Sequence, residues 1–304
     1  MNITQTVAFV GEAMIELTPR PGSEGLAGMT PAGDVLNTAV YFRRSSKREI
    51  GTRFVTVIGE DSFSDRIFRF AQDEGLDTSG MRRTSQANCG LYAVATAENG
   101  ERSFSYWRSA SAARSLFSDP ADFEALTGCD IVLITGITLA ILPETIRKAL
   151  LDWVNTARAR GVRLAFDSNY RPALWESQIT AQNWVERFWR VCDIALPSVD
   201  DEIALFGDAG LSKVMKRFGG YGVTTGALKA GVEGSFALDG TDRRFAVEPV
   251  DPVVDTTAAG DSFNAGFLSA LVTGAPLEDC VAAAHALARE VIQHPGAIIP
   301  RVAK

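Results

Sequence analysis

The chain is 304 residues long, 46% hydrophobic and 22% charged, with a formal net charge of −7. That composition builds a globular protein with a full core and excludes a disordered tail or a fibre. No lysine- or arginine-rich block stands out, so nucleic acid and anionic membranes are poor partners, and an anionic ligand would need a local cluster of arginines. The four cysteines, Cys89, Cys129, Cys192 and Cys280, form no CxxC pair, and His285 and His294 are the only histidines. Reduced thiols are expected and no zinc constellation is visible. The N-terminus, MNITQTVAFVGEAMIEL, lacks a basic start ahead of a long apolar run, and no stretch approaches the ~20 apolar residues of a membrane helix. A cytoplasmic location is expected.

In chain order, Val7 to Val10 is a short apolar run stopped by Gly11 and predicts a buried strand. Thr18 to Gly33, rich in Gly and Pro, predicts loops or edge strands over the main body. Leu36 to Phe42 predicts a helix, Phe54 to Ile58 a strand, and Phe63 to Gln72 a helix closed by Gly75. Two β-prone runs, Leu91 to Thr96 and Ser103 to Trp107, flank the turn signal Asn99-Gly100 and predict a hairpin in a separate small sheet. From Ile131 the rhythm changes. Strands are expected at Ile131 to Thr135, Val162 to Phe166 and Ile194 to Leu196. Helices are expected over Pro143 to Arg160, with Pro in the first turn and Gly161 after the end, and over Ala181 to Val191. A second hairpin, Val232 to Leu238 with Arg243 to Val247, and two helices, Asp261 to Thr273 and Leu277 to Ile292, complete the chain.

Such alternation requires parallel strands with helices on both faces, an α/β doubly wound sheet. Ligands in these sheets lie beyond the carboxyl ends of the strands. Asp167, Asn169 and Arg171 after one strand, and Ser198 to Glu202 after another, are therefore candidate site residues.

The most informative stretch runs from Asp255 to Leu268, DTTAAGDSFNAGFL. A loop of tiny residues leads directly into an amphipathic helix, whose first amides lack internal partners and make a backbone anion site. Asp261 lies at its mouth. Alone it reads as a helix N-cap; with the whole loop it reads as the acceptor of a proton from an attacking hydroxyl. Neither GxxxxGK[ST] nor GxGxxG occurs, so the phosphate-loop and dinucleotide readings lose their signatures.

Asp-Thr-Thr-Ala-Ala-Gly-Asp at 255 to 261 and Ala-Gly-Asp-Val-Leu-Asn-Thr-Ala at 32 to 39 resemble the C-terminal and N-terminal signatures of the pfkB, or ribokinase-like, sugar kinases. Finer motifs are similar to those of the subgroup that phosphorylates 2-keto-3-deoxygluconate: GEAMIEL at 11 to 17, SYWR at 105 to 108, TGITLAIL at 135 to 142, DSNYRPALW at 167 to 175, GAIIP at 296 to 300, and Ala258 where most members carry Gly.

The resemblance implies a single ribokinase-like domain over 1–304: a mostly parallel doubly wound sheet with a small β-sheet lid from roughly 12–33 and 87–109. It implies ATP, magnesium carried by ATP, a sugar-acid substrate phosphorylated at its 6-hydroxyl, and a homodimer or higher homo-oligomer. Asp261 would be the general base, and the amides of Ala258, Ala259, Gly260 and Asp261 the anion hole. Gly33, Asp34 and Asn37 would line the sugar hydroxyls, with Tyr92 and Tyr106 covering them. For Tyr92, cross-strand packing is an equal reading. Arg108 and Arg171 would fork the substrate carboxylate, surface salt bridges being their alternative. Asn169, Ser198, Lys229, Gly231, Gly234 and His285 are expected at the nucleotide, His285 also reading as a core or surface histidine. The family's NxxE motif is degraded to Ser198-Val199-Asp200-Asp201, leaving Asp201 to reach a metal through water. A kinase for fructose or another neutral sugar, and a non-catalytic sugar-binding regulator, are the alternatives.

Overall fold

Residues 3–19, 26–96 and 102–301 are described by a computed structural model of the protein. The chain opens with β1 (Gln5–Val10), β2 (Met14–Pro19), β3 (Ala27–Ala32) and α1 (Asp34–Ser45). It continues through β4 (Ile50–Ile58), α2 (Ser62–Asp73), β5 (Met81–Arg83), β6 (Gly90–Thr96) and β7 (Arg102–Trp107). Next come α3 (Pro120–Glu124), β8 (Ile131–Thr135), α4 (Gly136–Ile141), α5 (Glu144–Arg158), β9 (Arg163–Asp167), α6 (Gln178–Trp189) and β10 (Ile194–Ala195). The last elements are α7 (Val199–Phe206), α8 (Leu211–Gly219), β11 (Ala227–Lys229), β12 (Ser235–Ala237), β13 (Arg244–Phe245), α9 (Ala259–Leu271) and α10 (Leu277–Val291).

The central sheet has six strands in the order β10-β9-β8-β1-β4-β5, every neighbouring pair parallel. Strands buried on both faces read as unbroken apolar runs, and β1 is the clearest case. Val7 and Phe9 pack with α1, α9 and α10 on one face; Ala8 and Val10 pack with α4, α5 and α6 on the other. All four are 0% exposed. The doubly wound α/β architecture expected from the alternation is present, with a core on each face.

The small sheet runs β3-β2-β6-β7, with β2 and β6 parallel and the outer pairs antiparallel. The Gly- and Pro-rich segment after Thr18 thus supplies an edge strand, and the expected 91–107 hairpin is β6–β7. Its Asn99-Gly100 turn lies outside the described residues. Gly33 makes the passage from β3 into α1: its φ of 151° is open to glycine, and a Cβ there would stand 2.5 Å from the carbonyl oxygen of Glu12.

Two expectations need correction. Pro143 is the N-cap of α5 and not part of its first turn. The second hairpin is shorter than its apolar pattern: Val232 sits 94% exposed in a single helical turn, and pairing begins only at Ser235, after Gly234 at φ 92°. Among the described residues the four cysteines are free, and no helix is long and apolar enough to cross a membrane.

Candidate active site

A cleft of about 1100 Å³ opens beyond the carboxyl ends of the central strands, between the small sheet and the first turn of α9. The expected site residues line it, Asp34, Arg108, Arg171, Lys229, Asp261 and His285 among them, except that of the candidates Ser198 to Glu202, Val199 and Glu202 do not.

Asp261 is the third residue of α9 and not its N-cap. That position belongs to Ala258, which adopts the left-handed conformation at φ 62° and ψ 15°. The turn it creates directs the Ala259 N–H to the Thr256 carbonyl at 3.2 Å, so this amide is already engaged. The amides of Gly260 and Asp261, in the first helical turn, have no carbonyl four residues back within the helix. The Asp261 carboxylate is freed from capping. It instead accepts from Asn37 Nδ2 at 2.8 Å, a contact between residues 224 positions apart. Burial, and then the charge of Asp34, push Asp261 up to about 8, against the opposing bond from Asn37.

Asp34 opens α1 and accepts from Thr135 Oγ1 at 2.6 Å and Asn169 Nδ2 at 3.0 Å. Burial raises its pKa; the Thr135 bond works the other way. Asn169 was expected at the nucleotide, and its side chain amide here is spent on the Asp34 end of the cleft. Its backbone, at φ 29°, is held by an N–H bond to Asp167 Oδ1 at 3.2 Å.

Arg108 follows β7 and is 8% exposed; its Nη2 donates to Glu12, 1% exposed and carried on the link between β1 and β2. Burial raises Glu12, with Arg108 as the chief opposing influence. Arg171, half exposed, lies 3.1 Å from Asp201 Oδ1, so two residues assigned separate roles from the sequence form one pair. Tyr92 and Tyr106 are register partners on β6 and β7 with ring centroids 5.6 Å apart. The cross-strand packing read for Tyr92 is present, and the pair also walls the cleft. Its hydroxyl donates to Glu16, a buried carboxylate that Thr18 Oγ1 also reaches at 2.8 Å.

At the opposite end, Lys229 Nζ donates to Asp167 Oδ2 at 2.7 Å and to Asn264 Oδ1 at 2.9 Å. Ser198 caps α7, its hydroxyl accepting the Asp201 N–H at 3.2 Å. His285 Nε2 faces Ser235 Oγ at 3.1 Å; burial, then Arg289, lowers its pKa. Val232, Val247, Val250, Val253 and Ile292 make this end apolar. From the sequence Glu12 reads as either a site residue or a solvated edge charge and is set aside, and Thr135 and Asn264 are missed. Asn264 carried a signal, a polar residue inside the otherwise apolar run Phe263 to Leu268.

A half-buried carboxylate beside open helix-terminal amides, in a cleft lined with hydroxyl- and charge-recognising groups, defines a group-transfer site on a doubly wound α/β frame. Residues 4–304 match the family model described as pfkB family carbohydrate kinase, and the chain belongs to that family. It is 38% identical over 305 residues to 2-dehydro-3-deoxygluconokinase of Haemophilus influenzae, covering 98% of this chain and 96% of that protein. The Escherichia coli K12 protein of the same name is 38% identical over 309 residues, 99% of each chain. In fold it is similar to a putative ribokinase II from E. coli solved with ATP and Mg2+, at a TM-score of 0.83 with 20% identity, covering 97% of this chain and 94% of that one.

Proposed function

We propose that this protein transfers the γ-phosphoryl group of ATP to the 6-hydroxyl of 2-keto-3-deoxygluconate. The acceptor oxygen bonds the γ-phosphorus, its proton passes to Asp261, and ADP leaves. The observation that carries the reading is Asp261 itself: a half-buried carboxylate held by Asn37 Nδ2 at 2.8 Å, with its pKa raised to about 8, set in the first turn of α9 beside the amides of Gly260 and Asp261. A proton acceptor works best near the ambient pH, and such positioning is worth ~10²–10⁴ in rate. Placement and charge neutralisation supply the remainder in phosphoryl transfer.

The sugar-acid choice is supported by Arg108 and Arg171 at one end of the cleft and by the names of the two relatives at 38% identity. Asp34, Asn37 and the backbone at Gly33 hold hydroxyls. The apolar end with His285 takes the base of the nucleotide, and Gly231 and Gly234 let its phosphates approach the chain. Magnesium arrives on the nucleotide, with Asp201, which lines the cleft, near its waters. Once bound, the metal neutralises phosphate charge. The small sheet acts as a lid that excludes water. Its β7 edge, with Trp107 61% exposed, favours pairing in a homodimer, and the protein works in the cytoplasm.

A coupled ADP-release assay with ATP, magnesium and a panel of sugars tests this. Turnover is expected with 2-keto-3-deoxygluconate and at least tenfold less with fructose. Equal turnover of fructose refutes the acid reading, and no ADP from any sugar refutes the kinase reading in favour of a sugar-binding regulator.

A further inference from the structure

Lys229 ends β11, which joins the central sheet through the parallel bridges Ala195–Gly226 and Ser198–Lys229. Its ammonium carries three N–H groups. One reaches Asp167 Oδ2 and one Asn264 Oδ1, and Asn264 Nδ2 closes the triangle on Asp167 Oδ2 at 2.6 Å. Among the described residues no acceptor takes the third. The side chain is 12% exposed, and it lines the cleft. A methyl group built on Gly260 would stand 3.7 Å from Nζ, so the ammonium lies beside the first turn of α9.

The electrostatics there need a cation. Asp34, Asp167, Asp201 and Asp261 all line the cleft, and its arginines Arg108, Arg171 and Arg289 are turned to Glu12, Asp201 and Glu248. The chain has no phosphate-loop lysine.

We propose that Lys229 is a catalytic residue whose third N–H bonds a non-bridging oxygen of the phosphoryl group in transit. The inference rests on the phosphoryl-transfer reading above. The lysine neither gains nor loses a proton. The acceptor oxygen bonds the γ-phosphorus, the bond to the β–γ bridging oxygen breaks with its electron pair staying on ADP, and the hydroxyl proton goes to Asp261. Because Asp167 and Asn264 already fix Nζ, the cation does not have to be reorganised as charge develops.

Two variants test it, each checked for folding by circular dichroism and melting. Lys229→Ala is expected to lose kcat by about 10²–10³ with KM for the sugar acid within about threefold, and added methylammonium should restore turnover in proportion to its concentration. Lys229→Met combined with Asp167→Asn leaves no charge buried alone and should show the same kcat loss. A folded variant within about fivefold of wild-type kcat overturns the proposal. So does a folded Lys229→Ala that methylammonium does not rescue, which would confine the lysine to tying β9 to α9. Wild-type protein releasing no ADP refutes the phosphoryl-transfer reading instead, a separate result.

Discussion

Replacing Asp261 by Asn should abolish turnover and stabilise the protein. The folded carboxyl holds its proton up to about pH 8, against an ordinary value of 3.8. Across that window the folded chain keeps a proton the unfolded chain has released. Stability is full below 3.8 and falls by about 1.4 kcal/mol per pH unit until about pH 8. By pH 7 the accumulated cost is at most roughly 4 kcal/mol. Asn cannot titrate, and its oxygen can still accept the Asn37 bond, so Asp261→Asn should melt higher and lose one proton's worth of pH slope. Its kcat should fall by about 10²–10⁴. In the wild type, kcat/KM should rise about tenfold per pH unit below 8 and then level off, since only the ionised carboxylate takes a proton. ADP-release kinetics and thermal melts from pH 5 to 9 measure all three. Turnover of Asp261→Asn within tenfold of wild type, or a melting profile with unchanged pH slope, would refute the reasoning.

Arg171→Ala and Arg108→Ala should each cost about 10–100-fold in kcat/KM for the sugar acid, the worth of a charged hydrogen bond, while leaving any activity on fructose unchanged. The two should differ in stability: Arg108→Ala strands Glu12 in the interior and should cost about 3–5 kcal/mol, whereas half-exposed Arg171 should cost under about 1 kcal/mol, read by denaturant titration. Ala258→Gly should retain activity, but Ala258→Val, β-branched at φ 62°, should lose at least tenfold in kcat by distorting the turn that opens α9. Gly136→Ala should destabilise by more than about 2 kcal/mol, because its Cβ would meet the Ser168 carbonyl oxygen at 1.8 Å; an unshifted melting temperature would contradict this.

Most of the frame was legible because β1, β8 and the inner part of β4 are apolar runs and its helices are punctuated by Gly and Pro; β5, Met81-Arg82-Arg83, carries no such run and was not foreseen. The α9 loop was legible because tiny residues precede an amphipathic helix. What the loop's letters could not reveal is that Ala258, a residue with a Cβ, turns left-handed and takes the capping position. That single φ value decides whether Asp261 serves the backbone or the cleft. Glu12 was opaque for another reason. In the sequence it resembles an edge charge, and only the approach of Arg108 from 96 positions away makes it an interior ion. The lysine triangle is likewise assembled from β9, β11 and α9, elements whose mutual placement no local pattern encodes.

The strand order has a consequence for synthesis. β1 lies inside the sheet, with β4 on one side and β8 on the other. Leaving the ribosome, it can pair with β4 early, but β8 emerges roughly 70 residues later, about 4–15 s at common elongation rates. Through that interval a row of peptide groups along Val7 to Phe9 awaits its neighbour, an apolar border open to any extended chain nearby.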